Sequence, residues 1–211
     1  HPDKVRAVAG LSVPYTGQPP VPLTQIFKAM FTDQNRFFYM VYFQDEGVAE
    51  AAFEADVRTN LRKLYYAGGG ESGLAWGGAD KKPGDALLPG MVDPNPFPAW
   101  LSEADVDYFT GEFTRSGFRG PLNRYRNFER DFAYMGTIAD HKIHQPSLFI
   151  AGERDLVLKM FGGDASGAEA RMRENATDLR GVHIIPNVGH WTQQEAPEET
   201  TGHIIDWLAA L

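Results

Sequence analysis

Two short apolar runs each end in an ionisable group: Ser147-Leu-Phe-Ile-Ala-Gly152 followed by Glu153-Arg154-Asp155, and Val182-His-Ile-Ile185 followed by Pro186-Asn-Val-Gly189-His190-Trp191. Runs this short and this apolar fit strands buried on both faces of a mostly parallel sheet, although periodicity alone does not separate them from buried helical segments. Residues 5–13, apolar but for Arg6 and Ser12, form a third strand candidate, and residues 1–5 read as a helix end and the turn after it. Four prolines between positions 14 and 22 exclude a central strand there. From Leu23 the pattern turns helical. Residues 25–30 make a short apolar-faced segment, whereas the aromatic stretch 36–43 reads as a strand or buried extended segment. Residues 46–64 read as one amphipathic helix, with Val48, Ala52, Ala55 and Leu64 near one stripe, ended by Gly68, Gly69 and Gly70. Residues 71–98 hold too many glycines and prolines for a long element. A capping box at Ser102-Glu-Ala-Asp105 opens a helix to about Ser116, the glycines around residues 117–121 break the chain, and residues 122–134 form a further helix. Pro197, with acids beside it, starts the last helix.

Catalytic groups of open α/β sheets gather just beyond the carboxyl ends of the strands. Asp155 and His190 both stand there, in the order and spacing that let an acid orient a histidine base while the nucleophile comes from elsewhere. An Asp after a strand is equally a turn former or a helix cap, and Leu156-Val-Leu158 leaves that reading open. Three core strands are too few for a sheet covered on both sides, so the sequence is expected to be the C-terminal part of a larger protein or one of two pieces. Residues 1–22 and 141–211 then belong to the sheet core, and residues 23–140 form a mainly helical insertion.

Composition narrows the function classes. At 211 residues, 43% hydrophobic and 23% charged, the chain can bury one good core. A net charge of -8 argues against nucleic acid or an anionic membrane as partner, and no apolar run approaches the length of a membrane span. The absence of cysteine excludes disulfides and thiol nucleophiles and fits a reducing, cytoplasmic location. His141 and His144 form the one close histidine pair, but no third ligand stands beside them, so no metal site is expected.

Four segments carry a family resemblance: Tyr39-Met-Val-Tyr-Phe-Gln-Asp-Glu-Gly-Val-Ala-Glu50, Gly117-Phe-Arg-Gly-Pro-Leu-Asn-Arg-Tyr-Arg-Asn127, Gly152-Glu-Arg-Asp155 and Gly189-His-Trp-Thr-Gln193. With them the chain resembles the C-terminal two-thirds of an epoxide hydrolase of the α/β-hydrolase superfamily. The similarity covers nearly the whole chain, with a less familiar stretch around residues 69–82. It implies an α/β-hydrolase core, present as its C-terminal strands and helices only, with an inserted helical cap domain. By position, Tyr39 and Tyr125 match the two cap tyrosines that point at the epoxide oxygen. Asp155 matches the acid of the charge relay and His190 the general base, while Phe43 and Trp191 match pocket-lining residues and Tyr42 a structural neighbour. Met40 stands where related enzymes often carry Gln, which changes pocket polarity rather than chemistry. The nucleophilic Asp of the family and its oxyanion-hole turn precede the strand at residues 5–13, so neither is in this sequence.

The resemblance implies hydrolysis of a small apolar epoxide to a vicinal diol through an aspartyl ester. It requires no cofactor, takes the missing N-terminal part of the same fold as partner, and leaves a homodimer open. Two other readings compete. A haloalkane or haloacid dehalogenase would share the acid and histidine but would present halide donors such as Trp in place of two tyrosines. A non-enzymatic binding protein of the same fold gives no reason to keep both tyrosines with the Asp and His.

Overall fold

A computed structural model describes residues 2–72, 80–138, 140–162 and 164–211. In chain order the strands are β1 (Val8–Leu11), β2 (Ser147–Gly152) and β3 (Leu179–Ile185). The helices are α1 (Leu23–Met30), α2 (Tyr39–Tyr42), α3 (Val48–Glu54), α4 (Val57–Gly68), α5 (Glu103–Ser116), α6 (Arg119–Arg126), α7 (Phe128–Met135), α8 (Leu156–Gly162), α9 (Ala165–Asn175), α10 (Thr192–Glu195) and α11 (Pro197–Ala209). Short 3-10 turns lie at Pro2–Lys4, Thr32–Gln34 and Gly70–Ser72. The chain forms two compact units: among the described residues, one holds 2–17, 68–72 and 140–211, and the other holds 18–67 and 80–138.

In the first unit the described strands form one parallel sheet of order β1-β2-β3. β2 is central and buried at every position, as a run apolar on both sides requires. Its alternate side chains feed two cores. Phe149 and Ala151 pack with Leu158, Ala168 and Met172 of α8 and α9. Leu148 and Ile150 pack with Ile185 and Val188, against Ala196, Ile204 and Trp207 on the α11 side. This two-sided burial fixes the register and brings the C-terminal ends of β2 and β3 side by side, with Gly152 opposite Ile185. β1 is shorter than the residue 5–13 run, and β3 begins three residues earlier than its apolar core at Val182.

The second unit is helical, and three segments differ from the pattern expected. The aromatic stretch at 36–43 is buried at Phe38, Tyr39, Met40 and Phe43, but its residues 39–42 close into the single helical turn α2. Its rings meet side chains from several directions: Phe38 lies 4.8 Å from Phe27 and 4.1 Å from Phe31. Tertiary contacts of this kind outweigh the extended preference of aromatic residues. The segment 46–64 is two helices. Asp56 breaks it, its carboxylate accepting the Thr59 amide at 3.1 Å in the manner of an N-cap. The break turns the apolar stripe, so Ala49, Phe53 and Leu61 are buried while Val48 is 48% exposed. The segment 122–134 is likewise divided at Asn127, and α6 starts earlier, at Arg119. The capping box at Ser102 forms as read, with Asp105 donating its amide to Ser102 Oγ and accepting the Ser102 amide. Most of the less familiar stretch at 69–82 lies outside the described residues.

Candidate active site

β2 leaves the sheet through Gly152, and its exit turn places Asp155 at the N-terminus of α8. The Asp155 side chain is fully buried, and Oδ1 accepts the Val157 amide at 2.8 Å. The capping and catalytic readings of this residue are thus compatible, because the same carboxylate also faces His190, with Nδ1 at 3.0 Å from Oδ2 and 3.2 Å from Oδ1. A carboxylate only accepts, so Nδ1 carries the hydrogen, and in the neutral ring that tautomer leaves the lone pair on Nε2. The imidazole is 28% exposed. Anchored at Nδ1 and reachable from solvent, it has the geometry of an oriented base. The Trp191 ring stands edge-on to it, with centroids 4.9 Å apart.

The turn carrying His190 is held by backbone bonds that the sequence pattern did not reveal. The His190 amide donates to Gly68 O at 2.8 Å, and Ser12 Oγ donates to His190 O at 2.6 Å. Glycine is required where chains cross here. A Cβ on Gly152 would lie 2.2 Å from the carbonyl oxygens of Val188 and Gly189, and one on Gly189 would lie 2.4 Å from the Gly70 amide nitrogen.

Within the helical unit Tyr39, Phe43 and Tyr125 come together. Tyr39 and Tyr125 stand edge to face at 5.9 Å, and Phe43 lies 5.5 Å from Tyr39 and 5.1 Å from Tyr125. Burial raises the Tyr125 phenol above its ordinary 10, opposed by the nearby Arg124 charge, so it stays a hydrogen-bond donor across the physiological range. Met40 is buried on α2, and Tyr42 is partly buried, its phenol also raised by burial. Two polar contacts lock the aromatic group. Gln44 Nε2 donates to Met40 O at 2.8 Å and Tyr125 O at 3.1 Å. Arg126 donates to Phe43 O at 2.8 Å and to both Glu50 oxygens, at 2.5 and 2.9 Å. Arg126 and Glu50 lie inside the family-like segments, but their pairing across 76 positions leaves no local signal.

A cleft of about 530 Å³ in the helical unit, lined by Arg62, Asp93, Phe97 and Leu101 among others, includes none of these residues, and its charged groups are already paired, Arg62 with Asp93 and Glu103 with Arg58. No group of three His, Asp or Glu side chains placed to hold a metal occurs among the described residues; His144 Nε2 lies 2.5 Å from Asp140.

A parallel sheet with an acid and a histidine beyond neighbouring strands, together with a mainly helical insert, defines an α/β-hydrolase core with a cap. No family model matches the chain. Epoxide hydrolase A of Mycobacterium tuberculosis is 38% identical over 215 residues, which cover all of this chain and 63% of that protein. Epoxide hydrolase B of the same organism is 34% identical over 244 residues, covering all of this chain and 67% of that protein. The structure of an epoxide hydrolase from an endophytic Streptomyces superposes with a TM-score of 0.89 at 36% identity, over 99% of this chain and 62% of that one. The chain belongs to the epoxide hydrolase family. It spans roughly two thirds of the length of these relatives.

Proposed function

We propose that the protein to which this chain belongs hydrolyses a small apolar epoxide to a vicinal diol through a covalent ester. The observation that carries the reading is the buried Asp155 carboxylate against His190 Nδ1, in a chain whose relatives are epoxide hydrolases. An aspartate from the part of the relatives' length that this chain does not span attacks one epoxide carbon and breaks its C–O bond. Tyr39 and Tyr125 donate to the departing oxygen, and one phenol yields its proton, leaving an alkyl ester and a phenolate. His190, oriented by Asp155, then takes a proton from water as the hydroxide attacks the ester carbonyl. Collapse releases the diol and restores the carboxylate, and the proton set free returns to the phenolate. The atoms balance as epoxide plus water.

Residues 23–140 act in this reading as the cap domain and residues 1–22 and 141–211 as core. Phe43, Met40 and Trp191 supply the apolar lining, so the substrate is recognised mainly by shape and desolvation. The scheme assigns no task to a cofactor or metal. The lack of cysteine is in keeping with a cytoplasmic setting, and a homodimer is compatible with the reading. The test is incubation of the full-length gene product with a small aryl or alkyl epoxide. Conversion to the vicinal diol is expected, and an epoxide left at its uncatalysed rate refutes the proposal.

A further inference from the structure

Glu195 lies five residues after His190, and its carboxylate accepts three backbone amides. Oε2 takes Gly70 at 2.8 Å and Gly189 at 2.9 Å, and Oε1 takes Trp191 at 3.0 Å. The amides on both sides of His190 are therefore bound to one side chain. With the His190 amide on Gly68 O and its carbonyl on Ser12 Oγ, the backbone from the Gly189 amide to the Trp191 amide is fixed at every one of these groups.

We infer that Glu195 is a positioning residue that sets the His190 imidazole against Asp155 by clamping the Gly189–Trp191 turn to the Gly70 backbone. This rests on the reading of His190 as the base. A cap of the short helix α10 would account for the bond to Trp191 alone. The bonds to Gly189 and Gly70 lie outside that helix, and they join two chain segments that Arg154 also bridges by donating to Gly70 O at 3.3 Å and Asn187 Oδ1 at 2.5 Å, whereas Glu195 alone binds the amides that flank His190. The close approach of those segments, where a Cβ on Gly70 would lie 2.2 Å from Asn187 O and 2.9 Å from the Gly189 amide nitrogen, leaves both amides aimed at a single acceptor. A carboxylate suits that place because it only accepts and its bonds to amides are charge-assisted. Glutamine has nearly the same shape, yet whichever way it is turned its NH2 faces at least one of the three amides.

Glu195→Gln in the full-length protein tests this, with alkylation and ester hydrolysis measured separately by rapid mixing. Misplacement of the base by about an ångström slows a step on the order of a hundredfold. Ester hydrolysis should fall by that order while alkylation stays within about threefold, so roughly one substrate per site remains attached in the steady state. A purely structural role would lower the folded fraction and both half-reactions together, and that result overturns the assignment. If the glutamine variant does not fold, Glu195→Asp keeps the charge but falls short by one methylene, and the same selective loss is expected. A His190→Gln protein that traps no ester overturns the reading of the base itself. One that traps it, beside a Glu195 variant of unchanged hydrolysis, overturns the role of Glu195 alone.

Discussion

Replacing Glu50 by Gln tests whether a largely buried ion pair fastens α6, the helix that carries Tyr125, to α3. Hydrogen bonds from Arg126 are the largest cause that lowers the Glu50 carboxyl from an ordinary 4.5 to about 2; burial opposes them, and backbone hydrogen bonds from Glu50 itself and Gly47, with the Arg126 charge, add to the lowering. The two side chains are only 12% and 9% exposed, so solvent screens the pair little. A carboxyl ionising that far below its unfolded value is held by about 3 kcal/mol at neutral pH. Because the folded value is the lower one, the contribution is present above about pH 4.5 and is lost as pH falls through about 2. At pH 3 roughly 1.5 kcal/mol should remain. Glu50→Gln keeps the shape and leaves Arg126 its bonds to Phe43 O, Asp45 O and Asn123 Oδ1. The loss should therefore sit at the lower end of the roughly 3–5 kcal/mol typical of a broken buried pair. Urea unfolding of both proteins at pH 7, 5 and 3, followed by circular dichroism, measures it. The difference should be full at pH 7, nearly so at pH 5, and about halved at pH 3. A difference below about 1 kcal/mol at pH 7, or one that does not change with pH, refutes the reasoning, since it describes a screened surface pair.

Each tyrosine replaced singly by phenylalanine should slow alkylation on the order of a hundredfold, about 3 kcal/mol of stabilisation at the developing alkoxide. The Tyr39→Phe, Tyr125→Phe double variant should be close to dead without accumulating ester, as burst kinetics can show. Gly152→Ala should fail to fold or lose more than about 3 kcal/mol, because its Cβ meets backbone rather than a movable side chain; a melting temperature within a few degrees of the parent would contradict the close packing described.

The parts that were legible were those with a local cause. β2 announces itself because every position after Ser147 is apolar, and Asp155 and His190 because each ends an apolar run where a parallel sheet presents its chemistry. The Ser102 box is legible because both of its bonds are made within four residues. What escaped depended on distant partners. The turn at Tyr39 is helical because Phe27, Phe31 and Tyr125 surround it, and a four-residue helix is too short to show a period. The break at Asp56 had a signal, an Asp three residues ahead of Thr59, which the apolar stripe outweighed. The role of Glu195 depends on Gly70, 125 positions away, and left no local pattern in the sequence.

Whether His190 activates water against an ester is decided by mixing His190→Gln full-length protein with a labelled epoxide, quenching by denaturation and weighing the protein. About one equivalent of substrate should be bound covalently with no further turnover, because alkylation does not need the base. Unmodified protein from that variant, beside a fully trapped adduct in the tyrosine double variant, would reverse the roles and contradict the account.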